Sequence, residues 1–232
     1  MTILAMSLKI KGNGGKIAKW VVWTLLGVLF LVFFVRLVTW EDAYYREKEG
    51  SERDVTETVE VQELDETPPT EEEVVEYTVA PDRPRYLSIE KLGITNSRIL
   101  PMGVNSDGEL STPNNIFDVG WYESSGKPGQ GGTLVIDGHN GGPHVHGVFK
   151  DLPSLGVGDE IVIERGDGEK FRYKVVENVT VDLGSSDDYM ATAMRSPEAG
   201  KESVTLISCT GEWSQTQNTY LSRQFVRAVL AE

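Results

Sequence analysis

Apolar residues fall along this chain in three different rhythms. From residue 17 to residue 40 they are almost unbroken, with sixteen uncharged positions between Trp20 and Val35. Lys19 and Arg36 flank that run with stems that can lie along apolar surface, so the segment reaches the ~20 residues a bilayer span needs. Across 41–82 large apolar side chains are sparse among Glu, Thr and Pro, too few to bury a core, and this predicts a disordered, self-repelling tether. Fully extended, its 42 residues span at most about 140 Å. From residue 83 onward the pattern changes to short alternating or continuous apolar runs, punctuated by Gly, Asn and Asp. Residues 85–89, 97–102, 133–136, 160–164, 171–181, 204–207 and 224–230 read as strands. Gly166-Asp167-Gly168 is hairpin chemistry and Asn105-Ser106-Asp107-Gly108 turn chemistry. Residues 148–152 predict a helical turn, and 182–202 a long loop with one helical turn near Tyr189. Seven or eight short strands with little helix argue for an all-β fold closed, or nearly closed, into a barrel. The resulting division is an N-terminus at 1–16, a transmembrane anchor at 17–40, a tether at 41–82 and one folded domain at 83–232.

Charge orients this plan. Residues 1–40 carry five basic residues and no acid, 41–82 carry sixteen acids against three bases, and the remainder twenty acids against fourteen bases. The lysines precede the apolar run and Glu41-Asp42 follow it, which places the N-terminus in the cytoplasm and the folded domain outside. Trp20, Trp23 and Trp40 suit the interfacial belts. A cleaved signal peptide is the alternative, but Trp40 stands where a small residue should precede Ala43. Most of the net charge of −14 belongs to the tether. No concentrated basic face suggests nucleic acid.

The domain carries one cysteine, Cys209, expected at the mouth of strand 204–207, where Ser208 to Gly211 break into a loop. Outside the cytoplasm cysteines normally pair as disulfides, and an unpaired thiol is an oxidation liability, so its presence hints at use. Most free cysteines are small buried hydrophobes; two residues at strand boundaries elsewhere favour chemistry instead. His139 follows 133–136 with Gly138 beside it, and Arg223 opens the final strand, with Arg227 competing for the same role. A thiol, an imidazole and a fixed cation are what acyl transfer requires: attack on a carbonyl, protonation of the leaving amine and stabilisation of the oxyanion. No carboxylate is obviously placed to complete a Cys-His-Asp triad.

These residues resemble the sortase family. Thr205-Leu206-Ile207-Ser208-Cys209 is similar to its TLxTC signature, with Ser208 where threonine is usual. Gly138-His139 resembles the histidine motif, and Arg223-Gln224-Phe225-Val226 the arginine motif. The order His, Cys, Arg also matches, as does Gly120-Trp121-Tyr122 ahead of Pro128-Gly129, and the resemblance spans about 83–232. It implies the eight-stranded sortase barrel with short helices, preceded by a single-pass anchor as in class A, E or F-like members. It further implies a cysteine transpeptidase that cleaves an LPxTG-like sorting signal and holds the acyl group on Cys209. The acyl group then passes to an amine on a cell-wall precursor or another protein. By the same resemblance the loop 182–202 shapes the substrate groove, Thr205, Leu206, Ile207 and Ser208 line it, and Trp213 covers the site. With an acidic tether in front of the barrel and no evident lid, anchoring of surface proteins is preferred over pilin polymerisation. No cofactor is required. Some relatives bind calcium through loop acids, which makes Glu160, Asp187 and Asp188 candidates, although such acids also read as solvated surface.

Two other classes compete. His139, His144, His146 and Cys209 are ligands of the type zinc takes, which would make the domain a metal-binding module, although H-x4-H-x-H on a glycine-rich loop lacks rigidity. An L,D-transpeptidase also uses cysteine on a β-rich domain, but the His-Gly-Cys pattern such enzymes resemble is absent around Cys209.

Overall fold

The structure, a computed structural model, describes residues 64–105 and 110–231. The expected anchor, the residues before it and the tether up to residue 63 lie outside the described residues. Among the described residues, no helix is long and apolar enough to cross a membrane.

Eight strands close into a barrel in the order β1-β2-β3-β4-β7-β8-β6-β5. They are β1 (Pro84–Ile89), β2 (Ile94–Met102), β3 (Val119–Tyr122), β4 (Thr133–Gly138), β5 (Glu160–Arg165), β6 (Lys170–Asp182), β7 (Ser203–Ser214) and β8 (Thr219–Leu230). Alternation decides which side chains face in: Ile161 and Ile163 of β5 and Phe171, Tyr173 and Val175 of β6 point to the core, while Lys170, Arg172 and Lys174 face water. The all-β expectation and the eight-stranded barrel therefore stand. Every pairing is antiparallel except β2 with β3 and β4 with β7. The last parallel pair is buried on both faces, which explains the continuous apolar run 133–136.

Three local readings change. Cys209 is not at a strand mouth, because β7 continues through it to Ser214 and pairs with β8 out to Thr219. The polar run that reads as a loop is the far end of a long hairpin, with a bulge around Gly211, whose φ is +85°. Residues 183–193, read as loop with a single helical turn near Tyr189, form the three-turn helix α2 (Leu183–Ala193). Its sequence is weakly amphipathic; what holds it is tertiary. Tyr189 packs on Phe225 with ring centroids 4.8 Å apart, and Thr205 Oγ1 donates to Ala193 O at 2.7 Å.

The third change concerns 64–82, which is ordered on the barrel, so the disordered stretch cannot extend through it. A capping box starts the short helix α1 (Glu71–Glu76): Glu73 N donates to Thr70 Oγ1 and Thr70 N to Glu73 Oε2. Three glutamates in its first turn suit the helix dipole. The tyrosines then bind it down: Tyr86 Oη donates to Val74 O, and Tyr77 Oη to Ile99 O. Upstream of the helix, Asp65 pairs with Asn115, and the Glu66 carboxylate accepts from the backbone N–H groups of His144 and Val145. An acidic, apolar-poor composition did not prevent order, because the acids are used as acceptors for backbone donors.

Candidate active site

The β4–β7 and β7–β8 ladders bring the three candidates to one outer face. In the parallel pair, Asp137 lies opposite Ile207, so His139 and Cys209 each follow two residues later on the same side. In the antiparallel pair, Cys209 lies directly opposite Arg223. Gly138 is required beside the histidine, because a Cβ there would sit 2.7 Å from the Phe149 ring.

The electrostatics are those of a partly desolvated thiol. Burial pushes the Cys209 thiol above its ordinary 9.0, the Arg223 guanidinium pulls it down and Asp137 pushes it up. Burial lowers the His139 imidazole below its ordinary 6.5, against a hydrogen bond to Pro113 O that raises it. The His139 Nε2 to Pro113 O distance is 2.8 Å. A carbonyl only accepts, so Nε2 carries the proton and, in the neutral ring, Nδ1 is free to take one. Arg223 is oriented by its own hairpin: Nη1 donates to Tyr220 O at 2.9 Å and Ser222 O at 3.2 Å, and Nη2 to Thr219 Oγ1 at 3.2 Å.

Beside Cys209 the outer face carries an apolar patch separate from the barrel core. Val135, Ala193, Ile207 and Phe225 are buried there, with Leu110, Tyr122, Val179, Val181, Tyr189 and Met190 packed against them. Ile207 and Thr205 belong to this face by strand period, with Thr205 fully buried beneath α2 rather than open to a groove. Leu206 and Ser208 do not: Leu206 is in the barrel core, and Ser208, 4 % exposed, donates from Oγ to Gly138 O at 2.8 Å. Strand period forbids four consecutive residues from lining one groove. Trp213 is exposed and stacks edge-on against Tyr220 further along the hairpin, so what it covers is the hairpin's own surface.

Arg227 is placed differently from Arg223. It is buried, paired with Glu177 and donating from Nη2 to Thr192 O and Arg195 O. A cavity of about 630 Å³ opens beside it, lined by Thr192, Arg195, Ser196 and Glu198 among others, away from Cys209. Among the described residues no three of His, Cys, Asp and Glu converge. Glu160 is held by Arg172 and Lys174, while Asp187 and Asp188 ride on α2, so the calcium candidates do not fit one ion.

One residue escaped the sequence reading. Asp137, on β4 two residues before His139, has its carboxyl pushed up to about 7 by burial, with only the Thr112 hydroxyl and its own backbone N–H opposing. The available signal was an acid inside the otherwise apolar run Val135-Ile136-Asp137-Gly138.

A family model described as the sortase domain matches residues 87–231. No curated protein matches in sequence. Similar solved structures include a Sortase D5 transpeptidase of Clostridium perfringens, at 24% identity and TM-score 0.46, covering 71% of this chain and 90% of that one. The SrtA sortase of Actinomyces oris aligns at 22% identity and TM-score 0.48, covering 66% of this chain and 83% of that one. A pilus-related sortase C of Group B Streptococcus aligns at 22% identity and TM-score 0.47, covering 74% and 80%.

Proposed function

This chain belongs to the sortase family, whose members are transpeptidases, and we propose that it works as a cysteine transpeptidase with Cys209 as nucleophile, His139 as general acid and base and Arg223 as oxyanion donor. The observation that carries the reading is the register of Cys209 against Arg223, with His139 on the parallel neighbour and an apolar patch alongside. The Cys209 thiolate attacks the carbonyl of the residue before the scissile bond. As the tetrahedral intermediate collapses, the C–N bond breaks and imidazolium Nδ1 gives its proton to the leaving amine, leaving a thioester. An incoming amine then attacks that carbonyl, loses a proton to Nδ1 and expels Cys209 as thiolate. Arg223 meets the oxyanion in both halves.

The substrate class we propose is an LPxTG-like sorting signal, seated on the patch around Ile207, Phe225 and Tyr189 beside α2. The acceptor is an amine of a cell-wall precursor or a second protein. The setting is the outer face of a membrane, with residues 17–40 as the anchor and the barrel outside.

The test is intact-mass analysis of the purified full-length chain with a pool of LPxTG-like peptides, with and without an added amine. The expected result is a mass gain equal to the acyl fragment, lost in Cys209→Ala, and an amine-ligated product. No adduct with any peptide, from a chain whose Cys209 reacts only after chelation, would overturn the reading in favour of a metal-binding module. Ligation only to a lysine of a second pilin-like protein would move it to pilus polymerisation.

A further inference from the structure

Asp137 is an awkward neighbour for a nucleophilic thiol. A carboxylate on the same outer face opposes ionisation of Cys209, and burial makes its own ionisation unfavourable. An acid in that position needs a use that offsets both effects, and its hydrogen bonds show one.

The Thr112 hydroxyl donates to Asp137 Oδ2 at 2.7 Å, and the next residue, Pro113, offers the carbonyl that receives His139 Nε2–H at 2.8 Å. Residue 137 on β4 and residue 139 just past its end thus hold two consecutive residues of the strap 110–113. The strap is stiff at that point: the proline ring fixes its own φ and confines Thr112 to extended conformations, so a shift of Thr112 is passed on to Pro113 O. It is seated at both sides, by the Ser111 N bond to Gly103 O at 3.0 Å and by Leu110 in the apolar patch. Gly120 of β3, paired with Asp137, leaves the necessary room. A Cβ there would lie 2.4 Å from Asp137 Oδ1 and 3.1 Å from Pro113 Cδ, so one glycine accommodates both the acid and the strap.

We infer that Asp137 is a positioning residue for His139: by anchoring Thr112 it sets Pro113 O, which fixes the imidazole with Nε2 protonated and Nδ1 turned to the reaction. The inference rests on the acyl-transfer reading of Cys209 and His139. It adds a carboxyl that shapes the histidine through two hydrogen bonds and four residues, without contact between acid and ring.

The experiment combines rates and a ring signature in the full-length chain. Asp137→Ala and Thr112→Val should each slow thioester formation about tenfold, the scale of one hydrogen bond, and the double variant should be no slower than either single one. Asp137→Asn, whose amide oxygen still accepts from Thr112, should stay within about threefold of wild type. Histidine 15N spectra, simplified by a total of three histidines, should show Nε2–H for His139 in the wild type and in Asp137→Asn. Asp137→Ala and Thr112→Val should give averaged tautomers. Multiplying effects of the two single variants, an unchanged His139 signature in both, or an Asn variant as slow as Ala would each overturn the inference. Failure of the parent reading looks different: the wild-type chain itself forms no adduct on Cys209, while the ring signature still reports whether the strap sets the tautomer.

Discussion

Arg223 and Arg227 stand four residues apart on the same face of β8, carry the same group, and are employed in opposite ways. Arg227 is closed in by Glu177 and two carbonyls at the C-terminal end of α2, and its Nε is sealed from solvent without a partner. It bonds a helix that its own sequence would not hold, the arrangement expected of a cation at a helix C-terminus. Among the described residues Arg223 donates to its own hairpin, which orients it while leaving its Nε–H outside those bonds and Cys209 across the ladder. What separates the two arginines is whether the surrounding elements have closed over them.

The sharpest way to break that comparison is to remove each guanidinium in turn. Arg223→Ala should lower kcat/KM by about 10²–10³, the range for loss of one oxyanion donor, with little change in the denaturation midpoint. Lysine should not restore it, since a point charge lacks the planar fork. Arg227→Ala should do the reverse: a loss of about 2–3 kcal/mol in chemical denaturation, below the range for a fully buried pair because Glu177 is 38% exposed, and less than a tenfold change in rate per folded molecule. Equal losses of rate at both positions would dissolve the distinction.

A smaller effect tests whether the open end tolerates charge poorly. Asp137 has a folded value of about 7 against an ordinary 3.8, so the stability tied to its proton is complete below 3.8 and is lost as pH rises through about 7. Asp137→Asn should therefore be more stable than wild type at pH 8, by about 1–2 kcal/mol, and the gap should close near pH 4 in thermal or urea unfolding. The smallest effect is on the inner side of the neighbouring strand β7. Ser208→Ala, which orphans one acceptor at Gly138 O, should cost about 1 kcal/mol in urea unfolding and leave the thiol chemistry intact.

Much of this was legible in the chain because it depends on local period. Ile161 and Ile163, or Phe171 and Tyr173, announce their strand and its inward face by alternation alone. Gly138-His139, Cys209 and Arg223 were recognisable as motifs, and the ladders bring them to one face. What stayed hidden was decided by partners far along the chain. The helix α2 depends on Phe225, Thr205 and Arg227, none of which its own sequence reveals. The 64–82 segment reads as a solvated tether until Asn115 and the His144 and Val145 amides appear opposite its acids. Nothing local marks what Asp137 holds, because its partner, Thr112, is 25 residues away. Motif membership places Leu206 and Ser208 in the groove, whereas the period of two turns both inward.

The lashing of residues 64–82 across the barrel has a mechanical consequence. A pull on the chain upstream of residue 64 is not delivered first to a strand of the barrel. It loads Asp65 against Asn115, and Glu66 against the loop that follows His139. These few bonds precede the Thr70 cap and the tyrosine clamps in series, so they are the first to part under load. The loop that follows His139 is thus spliced into the rigging between residues 64–82 and the barrel.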